Sequence, residues 1–398
     1  MSSASAVTHP VPELVDVLQR RAFAAGAAGL IASLIGALVT PTQFFRSYLF
    51  AFLFWNGVAI GCLSLLMIQH LTGGRWGLAI RRLLEAGTRT VPVLLVLFLP
   101  VVVGLKRIYP WAGSEQADAT IRHAIEIKHA YLNVPFFLGR AAFYFAVWLL
   151  LAHFLNRLSL ETDAGLDLRR ARQMRSISGG GLLLMGLTIT FMSVDWAMSL
   201  DPRWFSTIYG MLFMIGTALS ALALCIVVIT RIMGTGPLAV IANADTLHDL
   251  GKLMLAFIMV WAYFSYSQFL IIWSGNLPEE IPWYLRRYHG VWKLIGLFLV
   301  VFHFAVPFLV LLSRNLKRRA KTVGMVALWI LAVRVVDLFW LVRPEFPATG
   351  FPLHWLDLTL PVGLGGVWLG MFARQLKTRP LLPVGEPEVQ QWLAEAGA

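Results

Sequence analysis

The sequence predicts an all-α integral membrane protein of about ten transmembrane helices, arranged as two related four-helix bundles plus two flanking helices. Three observations predict it. Hydrophobic residues make up 58% of the 398-residue chain and charged residues only 14%, with a mean hydropathy of +0.71. Apolar runs of roughly 20 residues, long enough to cross a bilayer as helices, recur along the chain. A short motif also recurs in the same orientation, 142 residues further on.

Taken in order, spans are expected at 22–40, 47–70, 88–105, 134–155, 177–200, 205–232, 250–274, 290–312, 322–342 and 355–374. The longest intervals, near 106–133 and 156–176, are too short for a soluble domain. The expected organisation is therefore an N-terminal segment (1–21), a membrane domain (22–375) and a C-terminal tail (376–398). Residues 1–19 contain no Lys or Arg, so no secretory signal is expected.

The formal net charge is +12, but its distribution argues against nucleic acid as a partner. Of the 33 Lys and Arg, 21 fall on the side that holds both termini and 10 on the other, while Arg140 and Arg334 lie inside spans. This positive-inside bias implies that both termini are cytoplasmic. The run "SRNLKRRAK" is then an inner loop beside anionic lipid. Both cysteines, Cys62 and Cys225, sit inside spans, and no CxxCH or Cys cluster occurs. No covalent haem or iron–sulphur cluster is expected on this chain, so any redox cofactor would be non-covalent or belong to a partner.

The repeat is carried by "SVDWAMSLDPRWF" at the end of the fifth span and "VVDLFWLVRPEFP" at the end of the ninth. Asp195 aligns with Asp337, Pro202 with Pro344 and Trp204 with Phe346. Spans four apart cross in the same direction, so helices 2–5 (about 47–200) and 6–9 (about 205–342) read as parallel repeats. The fourth and eighth spans add a weaker parallel, each with a cation (Arg140, Lys293) ahead of a histidine (His153, His303). Asp201 precedes Pro202, which is the pattern of a helix N-cap with Pro at the first helical position. Asp195 lies about 9 Å of helix deeper and has no such task. A carboxylate at that depth costs a few kcal/mol unless it is paired, protonated or facing water. Asp337 has a cation three residues earlier, Arg334, on the same helix face. Asp195 has none nearby, and Arg140 on the preceding span is its candidate partner.

The seventh span contains "WAYFSYSQF". Its serines fit interhelical packing, whereas Tyr263, Tyr266 and Gln268 are candidates for proton conduction or for seating a quinone headgroup. His289 and His303 are fourteen residues apart, but no matching histidine pair exists on another span to complete a haem site. His289 reads as interfacial, and His303 as a proton-relay candidate. The runs "GLGGVWLG" and "SGGG" suggest close helix packing, and the fifteen Trp suggest interfacial belts.

Four stretches together, "KHAYLNVPFFLGRAAFYFAVW", "FMSVDWAMSLDPRWFSTIYG", "SQFLIIWSGNLPEEIPWY" and "RPLLPVGEPE", resemble the ActF-type membrane subunit of bacterial alternative complex III, within the wider polysulfide-reductase (NrfD-like) membrane family. The resemblance runs from the second span to the tail, and "SVDWAMSLDPRWFST" and "GNLPEE" are its most specific phrases. It implies a subunit of a quinol:cytochrome c (or other electron-carrier) oxidoreductase in the bacterial inner membrane. The implied partners are a related ten-helix subunit, a periplasmic iron–sulphur protein, and multi-haem and mono-haem cytochromes c. The haem c and iron–sulphur clusters would belong to those partners, with menaquinol or another quinol nearby and no cofactor on this chain. It further implies a supporting or proton-conducting role, with quinol oxidation at the sister subunit. From position alone, Asp195, Arg140, Arg334 and Asp337 are the candidate path, and a quinone site is left unassigned. Two other classes fit the same features. A stand-alone secondary transporter would need paired discontinuous helices at mid-membrane. An inert anchor would make every buried charge structural.

Overall fold

Residues 13–113, 119–163, 168–234, 238–346 and 353–397 are described by a computed structural model. They are helical, with no strand among them. Ten helices are long and apolar enough to cross a membrane: α1 (Glu13–Val39), α2 (Pro41–Thr72), α3 (Arg75–Val103), α4 (Val134–Asp163), α5 (Arg169–Leu200), α6 (Tyr209–Ile232), α7 (Ala244–Gly275), α8 (Gly290–Leu312), α9 (Ala320–Glu345) and α10 (Leu356–Leu376). The protein is thus a multi-pass all-α membrane protein. All ten expected spans are present. Residues 1–12 of the expected N-terminal segment lie outside the described residues, and from Glu13 onward that segment is already the start of α1.

α2 and α6 are apolar on all sides and occupy the centre, 89% buried over their most apolar stretches. They pack closely on each other. Gly61 makes the approach feasible, because a Cβ there would overlap the backbone of Thr217. Around this pair the two halves repeat their packing. α2 contacts α3 and α5 as α6 contacts α7 and α9, α4 contacts α5 as α8 contacts α9, and α3 meets α4 as α7 meets α8. α1 and α10 flank the bundles as a tightly joined pair. Their seam is made of glycines. A Cβ on Gly26 would lie 2.8 Å from the Val367 nitrogen, and one on Gly29 would lie 2.7 Å from the Gly363 nitrogen. The "GLGGVWLG" run therefore acts in packing as expected. The "SGGG" run does so at its ends only: Ser178 is buried against His70, and a Cβ on Gly181 would lie 2.6 Å from the Met67 sulphur, whereas Gly179 and Gly180 have nothing within 4 Å.

Lys377, just past α10, pairs with Asp16 in α1 at 2.6 Å. The start of α1 and the end of α10 therefore share one face of the bundle, called proximal below; the opposite face is distal. The tail does not hang free from the proximal face. Its helix Pro387–Gly397 brings the Trp392 ring under Arg75 at 4.4 Å. Arg379 and Glu386 reach the α3 residues Glu85 and Arg81.

Two helices are interrupted. α3 breaks near Thr90 and Phe98, each followed by a proline, Pro92 and Pro100. α8 contains a π-helical turn, Val300–Ala305. Pro307 has no N–H to return to the His303 carbonyl, so the regular ladder cannot continue through this turn. The expectation of Trp belts is corrected by burial. Trp148, Trp196, Trp283 and Trp368 are among the largest fully buried side chains, and only a few, such as Trp273, are exposed. Their large apolar rings fill the spaces between helices rather than the membrane border.

Candidate functional site

The deep carboxylate of α5 finds its cation on α4. Arg140 donates from Nε to Asp195 Oδ2 and from Nη2 to Oδ1, both at 2.8 Å, a bidentate pair. The Tyr144 hydroxyl, one helical turn further along α4, donates to Oδ2 at 2.6 Å. Arg140 is held in turn by the Tyr131 carbonyl at 3.0 Å and by the Tyr131 and Phe136 rings, 3.8 and 4.3 Å from its guanidinium carbon. Asp195 itself is fully buried. Below it, Trp148, Trp196, Phe145 and Phe98 close the site with ring centroids 4.8–6.0 Å apart.

The α9 pair has the same chemistry from different neighbours. Arg334 Nη1 donates to Asp337 Oδ2, and both residues are buried. Trp261 Nε1 on α7 donates to the same oxygen at 3.2 Å, and Arg334 Nε reaches Ser220 Oγ on α6 at 3.4 Å. Gly216 leaves room for the guanidinium, since any Cβ there would overlap it. His303, in the π turn, is fully buried with its ring centroid 3.9 Å from that of Trp261. Neither of its ring nitrogens has a hydrogen-bond partner.

The polar patch on α7 divides by helix face. Gln268 is buried and accepts from Ser206 Oγ at 3.3 Å. Tyr263 and Tyr266 are 66% and 63% exposed on the outer surface of α7. Tyr263 is thus separated from the buried pairs, whereas Tyr266 borders a cavity of about 720 Å³. That cavity lies between α6, α7, α8, α9 and the short helix Ile281–Arg287, and Asp337, Gln268 and Trp261 are in its wall. The α4/α8 parallel in histidines fails: His153 is exposed and His303 buried.

Asp201 is not a helix cap. The next long helix begins only at Tyr209. Asp201 instead folds a turn: its Oδ1 accepts from the Arg203 backbone N–H at 3.1 Å and from Arg203 Nε at 3.0 Å, and its Oδ2 accepts from Arg286 Nη2 at 2.7 Å. Arg286 and Arg287 both pair with Glu345, at 2.7 and 2.8 Å. Arg287 also closes the end of α9 by donating to the Trp340 and Leu341 carbonyls. Distal loops from both halves are thereby tied through one chain of charges. The two repeats reverse sign at corresponding positions, with Asp201 and Arg203 facing Arg343 and Glu345 across the 142-residue offset. Burial pushes the Asp201 carboxyl up, but the hydrogen bonds from Arg203 and the charge of Arg286 outweigh it and hold the group below its ordinary value of 3.8.

A third cluster escaped sequence reasoning. On the proximal side, Glu85 accepts from Arg81 at 3.2 Å and from Arg82 at 2.6 Å, and Ser159 on α4 donates to it at 2.6 Å. Arg82 also pairs with Asp163. The i, i+3 and i, i+4 spacing of Arg82, Arg81 and Glu85 was the available signal. A hydropathy window reads such a stretch as loop, because it counts charge and not the face that charge occupies.

Together the fold and site define a polytopic membrane protein with two repeat-related, desolvated carboxylate–guanidinium pairs. Set against known protein families and curated proteins, the chain matches none. Among the described residues no group of His, Cys, Asp and Glu is arranged to hold a metal ion.

Two outcomes follow from this geometry. Arg140→Leu strands a fully buried carboxylate and should cost about 3–5 kcal/mol, whereas Arg140→Leu with Asp195→Leu should recover most of that loss; denaturant-induced unfolding of the purified variants measures both. Because the Asp201 carboxyl is depressed, its contribution to stability is complete above 3.8 and is lost as pH falls through its lower folded value. Asp201→Asn should remove that acid-dependent loss, read as proteolytic opening of the distal loops across an acid titration.

Proposed function

We propose that this chain is an integral membrane subunit of a quinol-oxidising respiratory complex, of the alternative complex III type that its motifs resemble. In this reading it supports assembly and proton conduction and carries no redox cofactor of its own. Its setting is the bacterial inner membrane, with the proximal face and both termini cytoplasmic and the distal face toward the periplasmic partners. Those partners are a related ten-helix subunit, an iron–sulphur protein and cytochromes c.

One observation carries the proposal. Two carboxylates, Asp195 and Asp337, occupy matching positions in the two repeats, each fully desolvated and each held by a single guanidinium. A purely structural membrane bundle gains little from such pairs, since desolvation cancels most of the Coulombic attraction. Ionisable groups kept in spans face interiors where protons or substrates pass. Tyr144 donates to Asp195 and Trp261 to Asp337, which extends each pair by one polar group, while His303 packs against the Trp261 ring. Tyr263, on the outer surface, is left out of the path, while Gln268 and Tyr266 border it at the cavity.

The transporter reading calls for paired helix breaks at equivalent positions. The breaks in α3 and α8 fall on helices that are not equivalent, because α3 corresponds to α7 and α4 to α8.

Asp195→Asn and Asp337→Asn each leave a guanidinium without its counter-charge and should lower yield, and per assembled complex they should lower quinol-driven proton movement in vesicles by a factor of roughly 10². Wild-type turnover and proton movement in both variants would sink the proposal. Reduced yield with normal activity per assembled complex would assign the pairs to structure alone.

A further inference from the structure

A charge taken out of water needs a counter-charge or a hydrogen-bond partner. The buried guanidinium groups of Arg81, Arg82, Arg140 and Arg334 all have one. Lys317, between α8 and α9 at the proximal face, does not. It is only 7% exposed, and among the described residues its ammonium makes no hydrogen bond or ion pair. Its stem lies flat on α7, because a Cβ added to Gly251 would meet the Lys317 side-chain carbons at 3.0–3.3 Å. His248 and Lys252 flank Gly251, one helical turn apart on α7. The charges of Lys252, Lys317 and Arg314 all bear on His248, and that of Lys252 bears on Lys317. His248 Nδ1 is buried with no hydrogen-bond partner. The carboxylates at this corner are already used: Asp245 pairs with Arg318 at 2.8 Å and Asp249 with Lys252 at 3.3 Å. Arg314 is exposed and has no ion pair among the described residues. The most buried cation of the group is thus left without an anion. The corresponding corner of the first half is filled by the protein itself. There Arg81 and Arg82 of α3 meet Glu85, Asp163 and, from the tail, Glu386.

We propose that this corner binds the phosphate of an anionic phospholipid, seated between Lys317 and Arg314, with its acyl chains along the outer side of α8. The proposal is independent of the quinol-complex reading. A phosphate accepts from an ammonium and a guanidinium at once, and such charge-assisted bonds are stronger than neutral ones. It supplies the anion that Lys317 lacks. Place argues that the phosphate comes from lipid. α8 ends at Leu312, two residues before Arg314. Leu309 and Leu312, 66% and 55% exposed, form an apolar strip that leads to it. The Val306–Leu312 stretch and the Arg314–Lys317 turn both pack on α7, so strip and cations share one edge of the bundle. A free phosphate would leave the strip unused. A zwitterionic head would bring its own cation among Arg314 and Lys252, which repel it.

The test is lipid titration of the full chain, purified and delipidated in a neutral detergent, read by native mass spectrometry. The probes are phosphatidylglycerol, phosphatidylcholine and inorganic phosphate. Phosphatidylglycerol should bind as one saturable adduct, about tenfold tighter than phosphatidylcholine. Lys317→Met keeps the stem and removes the charge. It and Arg314→Gln should each weaken that adduct about fivefold or more. Arg21→Gln, which removes a charge from the proximal end of α1, should leave it unchanged. Without lipid, Lys317→Met should melt no lower than the wild type, because it removes an uncompensated buried charge. Adding phosphatidylglycerol should then raise the melting temperature of the wild type and not of the variant. Equal affinity for phosphatidylcholine would overturn the proposal. So would an equal loss in Arg21→Gln, the mark of diffuse attraction to the whole face. Inorganic phosphate that binds as tightly as phosphatidylglycerol would overturn the lipid source. Arg314 is exposed, so unchanged binding in its variant would overturn the proposal even if Lys317→Met failed to fold.

Discussion

A carboxylate placed inside a membrane helix must find its counter-charge within the protein, because lipid offers neither water nor ions. Asp195 and Asp337 impose that constraint, and much of the architecture around them meets it. Arg140 must come from α4, since α5 offers no nearby cation, so α4 and α5 are fixed in depth and rotation by one bidentate contact. Arg334 comes from the same helix as Asp337, which leaves α7 free to contribute Trp261 and α6 free to contribute Ser220 and the space at Gly216. The two halves solve one electrostatic problem with different helices, and the difference decides which half is closed and which is open.

The closed half spends its volume on aromatic rings, and the open half keeps a cavity beside its carboxylate. α8 carries a π turn just ahead of Pro307 that sets His303 against Trp261. Above both pairs, the distal chain Asp201–Arg286–Glu345–Arg287 holds the loops of the two halves together. Below them, the Arg81–Arg82–Glu85 cluster holds the tail against α3 and α4. Charge is therefore layered: a locking network at each membrane border, and two isolated pairs between.

Much of this was legible in the sequence. Hydropathy located all ten spans, because crossing a bilayer demands length and apolarity whatever the tertiary contacts. Depth alone identified Arg140 as the partner of Asp195, and spacing alone joined Arg334 to Asp337. Tyr144 and Trp261 were not legible, since a hydroxyl or indole within an apolar span carries no sign of which helix it faces. Asp201 misled because Asp-Pro marks a helix start when the chain is free to begin one, and here two arginines draw the carboxylate into a turn instead. The tryptophans misled because an aromatic near a span end suits an interface and a core equally, and only packing separates the two. The tail read as an appendage because its contacts, Arg379 with Glu85 and Glu386 with Arg81, join residues 294 and 305 positions apart.

The measurement that bears most directly on the central claim is purification of the tagged chain in mild detergent. Its companions are identified by mass spectrometry and its covalent haem by staining. The account predicts a single particle containing cytochromes c, an iron–sulphur protein and a related ten-helix protein. A stable, haem-free chain purified alone from membranes that contain such complexes would contradict it.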